Sequence, residues 1–443
     1  MPSRISLSNH PKRTLLLTFL AWKSLLLIIA FASPGPGYDT SASLTEPAPD
    51  SAGELPVVLR YLVEKLTRWD AIYFTKVASR GYVFEQEWAW GWGWTRAIAL
   101  SIGMLGVPHY EGLEAVAGIA IAHVAHLLSV FVIFALGATV FPNHPSKLAL
   151  SLSAALLHTV FPAGLFLSAP YAESSCALLS FSGVLLFAKS FTPKGQSTSW
   201  HDLLLILSGL IFGIATTFRS NGILNGLLLL EEAFRVLLSL KDGFRLTTLR
   251  RLLATGLGGL IVGAGFVMPQ YIAWSEYCAD ANADTTTLRP WCQKTIPSVY
   301  SFVQEHYWNV GLFRYWTIPN VPLFLLAAPM IALMTVSGIW ALTYRINDKY
   351  PPSELQKKIN NVGIERFPIL RNLAVSQLML TCLTFTSAHV QIITRISSAY
   401  PVCLWYLAAQ LRKESSLARN VVRYMVIYAV VQGGLFASFL PPA

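Results

Sequence analysis

Residues 112–141 read GLEAVAGIAIAHVAHLLSVFVIFALGATVF and contain one acidic residue, Glu114, and no lysine or arginine. An α-helix rises about 1.5 Å per residue, so about 20 apolar residues cross the roughly 30 Å hydrocarbon core of a bilayer. The stretch is long enough and apolar enough for such a crossing. It therefore predicts a membrane-spanning helix.

The whole chain shares this apolar character. Of its 443 residues, 54% are hydrophobic and only 13% are charged, whereas about 25% are charged in an average soluble domain. Mean hydropathy is +0.50. This composition, with its apolar residues in long blocks, excludes an intrinsically disordered protein, a disulfide-rich secreted module and a nucleic-acid-binding protein.

Ten further stretches have the composition of membrane spans, although two of them, 220–238 and 397–411, are short enough to be re-entrant or tilted. The ten are residues 14–32, 147–168, 173–190, 202–218, 220–238, 252–274, 321–344, 370–388, 397–411 and 421–440. The sequence thus predicts an all-α polytopic membrane protein with about eleven transmembrane helices, forming a single domain over residues 1–443.

The distribution of Lys and Arg predicts the orientation of these helices. With a cytosolic N-terminus, the cytosolic segments hold 21 Lys and Arg residues and the opposite side holds 11, as the positive-inside rule requires. The cytosolic segments are 1–13, 142–147, 189–201, 235–251, 345–371 and 412–423. The same assignment predicts a first luminal loop at 33–111, a second at 275–320 and a large cytosolic loop at 345–370.

The predicted luminal segments carry most of the clusters that mix polar and aromatic residues. They are residues 68–74 (RWDAIYF), 81–90 (GYVFEQEWAW), 168–174 (SAPYAES), 219–222 (RSNG), 289–292 (RPWC), 307–311 (YWNVG) and 389–395 (HVQIITR). Aromatic rings stack on sugar faces, arginine binds phosphate through paired donors, and a carboxylate accepts a proton from a hydroxyl. This mixture favours a reaction between a lipid phosphate-sugar and a carbohydrate acceptor.

Each residue type also has an ordinary structural interpretation. A loop rich in Trp and Tyr is typical of the membrane interface, Asp70 can pair with Arg68 or cap a helix, and arginines at span ends can snorkel to the interface. The same alternatives stay open for Glu85 and Glu87 as solvated charges, Glu173 as a helix cap, His389 as a structural histidine, and Arg219 and Arg395 as snorkelling side chains.

Absent motifs narrow the chemistry. The sequence has no His-Glu-x-x-His zinc motif, no Walker loop and no Gly-x-Ser-x-Gly elbow. It also lacks an Asp-x-Asp pair of the kind that holds a divalent ion, so we expect no metal and no cofactor. Its five cysteines are too few for a disulfide framework, and a bridge between Cys278 and Cys292 in the second luminal loop is left open.

Six of these clusters resemble motifs of the PIG-V family: those at 68–74, 81–89, 219–222, 289–292, 307–311 and 389–395. The matches follow the family's order from about residue 60 to residue 402. This family comprises the second GPI mannosyltransferases of the endoplasmic reticulum. The sequence of residues 85–93 is most similar to that of its fungal members.

The resemblance implies a GT-C-type membrane enzyme with amphipathic loop helices and a luminal active site. Its members transfer the second mannose, in α1,6 linkage, from dolichol-phosphate-mannose to a mannosylated glucosaminyl-phosphatidylinositol. The donor is a β-phosphate and the product is α-linked, so the reaction inverts the anomeric carbon and needs one base. The resemblance also implies a small accessory membrane subunit as a partner, besides the two lipid substrates and the surrounding membrane lipids.

In GT-C enzymes an acidic residue of the first luminal loop usually serves as the base, and the matching residue here is Asp70. Its neighbours in the clusters receive roles from their chemistry. The acceptor or sugar contacts are predicted to be Glu85, Trp69, Trp88, Glu173, Trp308 and Asn309, and the donor-phosphate contacts Arg395, His389, Arg219 and Gln391.

Two other classes of protein remain as alternatives. A transporter or scramblase of lipid-linked sugars would also place aromatic residues and arginines at the membrane boundary, but it would favour an internal repeat, which is absent from this sequence. A non-catalytic subunit of a GPI-assembly complex would tolerate loss of Asp70. Within the enzymes, the alternative is another dolichol-phosphate-mannose transferase.

Overall fold

The computed structural model describes residues 10–35, 55–106, 110–142, 144, 146–191, 198–279, 289–343 and 367–440. These residues form α-helices, short 3₁₀ turns and loops, with no β-strand in the described ranges. The α-helices are α1 Pro11–Ala32, α2 Val57–Leu66, α3 Asp70–Arg80, α4 Trp92–Leu105, α5 Leu113–Val140, α6 Lys147–Thr159, α7 Glu173–Lys189, α8 Thr198–Phe218, α9 Gly226–Ser239, α10 Leu246–Tyr277, α11 Val299–His306, α12 Val321–Thr343, α13 Phe367–Ser387, α14 Ile393–Ile396, α15 Val402–Arg412 and α16 Ser416–Ala437.

Seven of the described helices are long and apolar enough to cross a membrane. These stretches are Pro11–Ala32, Leu113–Val140, Ser199–Phe218, Leu246–Tyr277, Ile318–Thr343, Ile369–Ser387 and Ser416–Ala437. The all-α polytopic architecture is therefore confirmed, whereas the count of eleven stays a prediction.

The remaining four predicted spans are interrupted or short in the structure. The stretch 147–168 ends its α-helix at Thr159 and continues as a loop and a 3₁₀ turn after Pro162. The stretch 397–411 is divided at Pro401. Proline lacks the backbone N–H that continues a helix and restricts the residue before it, so these breaks have a local cause.

Glycines allow helices α8 and α10 to pack closely. A Cβ atom added at Gly209 in α8 would lie 2.3 Å from the Cα of Gly258 in α10. Small residues commonly allow such close approach of backbones between helices in membranes.

Some contacts join segments that the charge distribution predicts to lie on the same side of the membrane. On the predicted cytosolic side, Arg412 donates to the Ser146 hydroxyl at 2.7 Å, and Arg250 donates at 2.6 Å to Asp202, the first residue of the predicted span 202–218. The predicted luminal segments contact one another through the pairs described in the next subsection. The predicted cytosolic loop 345–370 falls almost entirely outside the described residues, as do most residues between 33 and 54.

Both large predicted luminal loops contain helices. Helix α2, Val57–Leu66, is one of the amphipathic loop helices that the resemblance implies, with Val63 and Leu66 buried and Val57 and Val58 exposed. In the second loop, Cys278 and Cys292 form a disulfide with their Cα atoms 5.5 Å apart. The bridge ties the segment before Cys292 to the end of α10.

Candidate functional site

Asp70 is the first residue of α3, where a helix amino end favours negative charge. The preceding residue, Trp69, has a left-handed φ of 55°, which is uncommon for a residue with a side chain. The Tyr171 hydroxyl donates to the carbonyl oxygen of Arg68 at 3.0 Å, and this bond holds the segment that leads into α3. The Asp70 side chain remains 23% exposed, so it is accessible to a ligand.

Arg395 lies directly against this carboxylate. It belongs to the short helix α14, and its Nη1 donates to Asp70 Oδ2 at 3.0 Å although the two residues are 325 positions apart in the chain. The guanidinium lies over the rings of Phe166 and Tyr171, with its central carbon 4.8 Å and 5.4 Å from their centroids. Burial alone would lower the pKa of Arg395, but the carboxylates of Asp70 and Glu173 outweigh it and raise that pKa. Arg395 is therefore a permanent cation.

Glu173 joins Arg395 to a second arginine. It begins α7, and its Oε1 accepts from Arg219 Nη1 at 2.8 Å and lies 3.6 Å from Arg395 Nε. The Glu173 side chain has no exposed surface. It holds both guanidiniums from within the protein, and its predicted sugar contact stays a prediction that would require these pairs to open.

The four charges alternate in sign as a chain from Asp70 to Arg395, Glu173 and Arg219. Two carboxylates and two guanidiniums balance, so the cluster carries no net formal charge. Asp70 and Arg219, the first and last residues of this series of charges, are both partly exposed. Such a cluster can place a proton acceptor beside cations that attract an anionic ligand.

An aromatic wall extends from Asp70. Tyr73, one helical turn after Asp70, stacks on Trp90 with ring centroids 5.3 Å apart. Trp90 in turn meets the edge of Trp308 at 5.7 Å. All three rings are partly exposed, and a sequence of partly exposed aromatic faces is suited to stacking on sugar rings.

Three other predicted sugar contacts are not members of this wall. Trp69 packs edge-on against Phe439 at 4.7 Å. Trp88 is buried and stacks on Tyr82 at 4.2 Å. Asn309 is exposed in the loop after α11, with a φ of 50°.

Glu85 and Glu87 are both buried and have separate partners. Glu85 lies 3.2 Å from Arg289, which belongs to the segment held by the disulfide. Glu87 accepts hydrogen bonds from Arg80 Nη1 and Nη2 and from the backbone N–H of Val83. The interpretation of Glu87 as a solvated loop charge is wrong, because these bonds make it the anchor of its own turn. Glu85 lies at the contact between the two predicted luminal loops.

His389 contacts the Trp308 backbone, and both His389 and Gln391 contact Tyr315. The His389 Nε2 atom is 2.9 Å from the Trp308 carbonyl oxygen, and its ring stacks on Tyr315 at 4.7 Å. Gln391 accepts from the Tyr315 hydroxyl at 3.1 Å. These contacts hold the loop that leads to α14, and the predicted phosphate contacts of both residues stay predictions.

Sequence reasoning did not select Tyr73, Trp90, Phe166 or Tyr171 as site residues. Tyr73 is three residues from Asp70 on a predicted helix, so helical spacing was a usable signal. Trp90 lay inside a quoted cluster, but its choice over Trp88 depends on the 3₁₀ turn at Glu85–Ala89. Nothing in the local sequence of Phe166 predicts that it packs beneath Arg395.

Gly91 allows α4 to approach the end of α8 beside Arg219. A Cβ atom at Gly91 would lie 1.8 Å from the Phe218 carbonyl oxygen, a distance that cannot exist. We expect Gly91→Ala to lower the free energy of unfolding by about 1–3 kcal/mol, because the added methyl group overpacks the contact. Gly103→Ala in the same helix is the matched control, because a Cβ atom there meets nothing within 4 Å. Thermal unfolding of both variants in detergent measures the difference, and equal midpoints would contradict the close contact.

Among the described residues, no group of three or more His, Cys, Asp or Glu side chains is arranged to hold a metal ion. The expectation that the protein needs no metal is untested by this finding and stays a prediction. A chelator in the assay proposed below tests it directly.

A helical multi-pass membrane protein with a partly exposed carboxylate, two arginines and partly exposed aromatic side chains has the groups that a membrane-embedded transferase requires. The family model described as Mannosyltransferase (PIG-V) matches residues 13–443. The chain therefore belongs to the PIG-V family and is a membrane mannosyltransferase, which confirms the resemblance carried by its motifs.

Fungal relatives match along almost their full length. A protein of Chaetomium globosum named GPI mannosyltransferase 2 is 45% identical, with 98% of this chain and 97% of the relative covered. A protein of the same name from Gibberella zeae is 42% identical, with 98% of each chain covered.

Among solved structures, the archaeal oligosaccharyltransferase AglB of Archaeoglobus fulgidus, in complex with an inhibitory peptide and a dolichol-phosphate, matches with a TM-score of 0.42 and 11% identity. The match covers 98% of this chain and 56% of that protein. At this level of similarity the match supports no inference about substrates or residues.

Proposed function

We propose that this mannosyltransferase acts in GPI-anchor biosynthesis. It transfers the second mannose, in α1,6 linkage, from dolichol-phosphate-mannose to the mannosylated glucosaminyl-phosphatidylinositol. The observation that carries the proposal is the Asp70–Arg395 pair, in which a partly exposed carboxylate lies 3.0 Å from a permanent cation. The GPI substrate is supported by the names of the fungal relatives.

In the proposed reaction Asp70 accepts the proton of the attacking hydroxyl of the acceptor mannose. The hydroxyl oxygen forms a bond to the anomeric carbon of the donor while the bond from that carbon to the phosphate oxygen breaks. The electron pair of the broken bond stays on the dolichol phosphate, and the configuration inverts. Of the four acidic residues considered for the site, Asp70 has the most exposed side chain, which favours it over Glu85, Glu87 and Glu173 as the base.

Arg395 and Arg219 are the proposed phosphate partners. A guanidinium has five N–H donors, so the pairs with Asp70 and Glu173 leave further donors for an anion. Because the charges of the four-residue cluster balance, the arriving donor phosphate makes the site net negative. We therefore propose that the developing charge on the leaving phosphate is stabilised mainly by directed hydrogen bonds.

The aromatic wall of Tyr73, Trp90 and Trp308 is the proposed platform for the sugars, because it begins one helical turn from the base. Glu85, which pairs with Arg289, is the proposed second acidic contact of the acceptor sugar. We place the enzyme in the endoplasmic reticulum membrane with this site on the luminal side, working without metal or cofactor. A small accessory membrane subunit is part of the proposal.

The test uses microsomes from cells that lack their own second GPI mannosyltransferase and express this chain. Labelled dolichol-phosphate-mannose is supplied, and the glycolipid products are separated and digested with linkage-specific mannosidases. Conversion of the one-mannose to the two-mannose intermediate, with an α1,6 bond and with EDTA present, is the expected result. These microsomes retain any accessory subunit, so absence of transfer would overturn the proposal. Conversion of a different intermediate would reassign the acceptor.

A further inference from the structure

The last turn of α16 ends beside the site. Phe439 is only 1% exposed and packs against the two residues that precede Asp70. Its ring lies 5.1 Å from the guanidinium carbon of Arg68 and 4.7 Å from the ring of Trp69. One aromatic side chain thus holds both residues that lead into α3.

The backbone at Phe439 has a conformation that normally requires glycine. The N–H of Phe439 donates to the Phe436 carbonyl at 3.0 Å, and the N–H of Leu440 donates to the Leu435 carbonyl at 2.8 Å. This pair of bonds is the Schellman motif, in which the residue after the helix is left-handed and is usually glycine. Phe439 occupies that position with a φ of 58°. A bulky residue there is strained, so its side-chain contacts must compensate.

Trp69 is strained in the same sense, with a φ of 55° at the residue before Asp70. Arg68 adds a second reason for the contact. It is 1% exposed, a Glu64 carboxylate oxygen is 3.8 Å away, and among the described residues its Nε and Nη2 atoms have no hydrogen-bond partner. The face of the Phe439 ring is therefore a principal interaction of this buried guanidinium.

We propose that Phe439 is a positioning residue for the transfer reaction. It fixes Arg68 and Trp69 in the conformation that starts α3 at Asp70, and so it sets the direction of the Asp70 carboxylate toward the acceptor. The inference rests on the proposed role of Asp70 as base. It assigns a part in the site to a segment 369 residues away in sequence that carries none of the polar clusters.

The test compares ring and non-ring substitutions in the full-length protein. Phe439→Leu keeps apolar volume but removes the aromatic face, and we expect kcat to fall between about 10-fold and 100-fold with the KM for dolichol-phosphate-mannose nearly unchanged. Phe439→Tyr keeps the ring and should restore kcat to within about threefold of the original enzyme, since the cation–π contact is retained. Phe439→Met serves if Phe439→Leu gives too little folded protein.

Met425→Ala is the matched control. Met425 is fully buried in α16, the helix that Phe439 follows, and it lies outside the contacts described for the site. It should lower thermal stability without changing kcat. Hydrogen exchange provides a readout that is independent of transfer: residues 67–72 should exchange faster in Phe439→Leu and not in Met425→Ala.

Unchanged exchange and unchanged kcat in Phe439→Leu would overturn the positioning role and leave the proposed function intact. Loss of transfer in the original enzyme would refute the proposed function, while the exchange result would still decide whether Phe439 holds the Asp70 segment.

Discussion

Asp70→Asn is expected to lower kcat by about 10²-fold to 10⁴-fold, the range that a positioned general base contributes. Asparagine keeps the size of the side chain and can still accept a hydrogen bond from Arg395, so the fold and the KM values should change little. Initial rates of mannose transfer in microsomes, corrected for the amount of expressed protein, measure the effect.

Asp202→Asn provides the matched control for this substitution. Asp202 also pairs with an arginine, Arg250 at 2.6 Å, and its side chain is 16% exposed, against 23% for Asp70. It is the first residue of the predicted span 202–218, at the end that the charge distribution predicts to be cytosolic, so its loss should leave kcat within about twofold. If Asp70→Asn behaved like Asp202→Asn, the base would have to be another residue, and Glu85 would be the next to test.

Glu173→Gln is expected to reduce both stability and activity. It removes the buried charge that two guanidiniums share, and breaking such a pair costs about 3–5 kcal/mol because uncompensated charge stays buried. We expect kcat of the remaining folded enzyme to fall by about 100-fold, since Arg395 then loses one of the two groups that hold it against Asp70.

The chain contains a second carboxylate of the same kind. Glu232 is 1% exposed and binds Arg235 and Arg251. These three residues lie within or beside the predicted cytosolic segment 235–251. Glu232→Gln should lower the thermal midpoint by a similar amount and leave kcat within about twofold. Equal loss of kcat in both variants would show that the effect of Glu173 is general destabilisation, and its assigned role in holding the arginines of the site would be withdrawn.

The sequence predicted the parts of the site better than their arrangement. Asp70 was singled out by its polar and aromatic cluster and by the resemblance, whereas Glu173, Arg219 and Arg395 are conspicuous as polar residues beside apolar spans. Their order of contact was not predictable, since it depends on how the ends of α3, α7, α8 and α14 meet in space. Glu173 was expected at a helix start and is there, but only the fold reveals that two arginines cover it.

The number of spans shows a different limit. Hydropathy over a window registers apolar residues whether or not the helix is continuous, so the breaks around Pro162 and Pro401 are not apparent from composition alone. Phe439 illustrates a third limit. It belongs to an ordinary apolar run near residue 440, and neither its left-handed backbone nor its contact with Trp69 has a local sequence signal.

Asp70 and Arg395 are 325 positions apart in the chain, and this separation has a consequence for biosynthesis. At the usual rate of about 5–20 residues per second, the ribosome needs roughly 15–65 seconds to supply Arg395 after Asp70 has been made. Throughout that interval the nascent chain has a carboxylate without its cation, and Phe439 arrives later still. Prematurely terminated chains that lack these last segments can insert most of their helices yet cannot assemble the site, so catalytic competence is confined to full-length translation products.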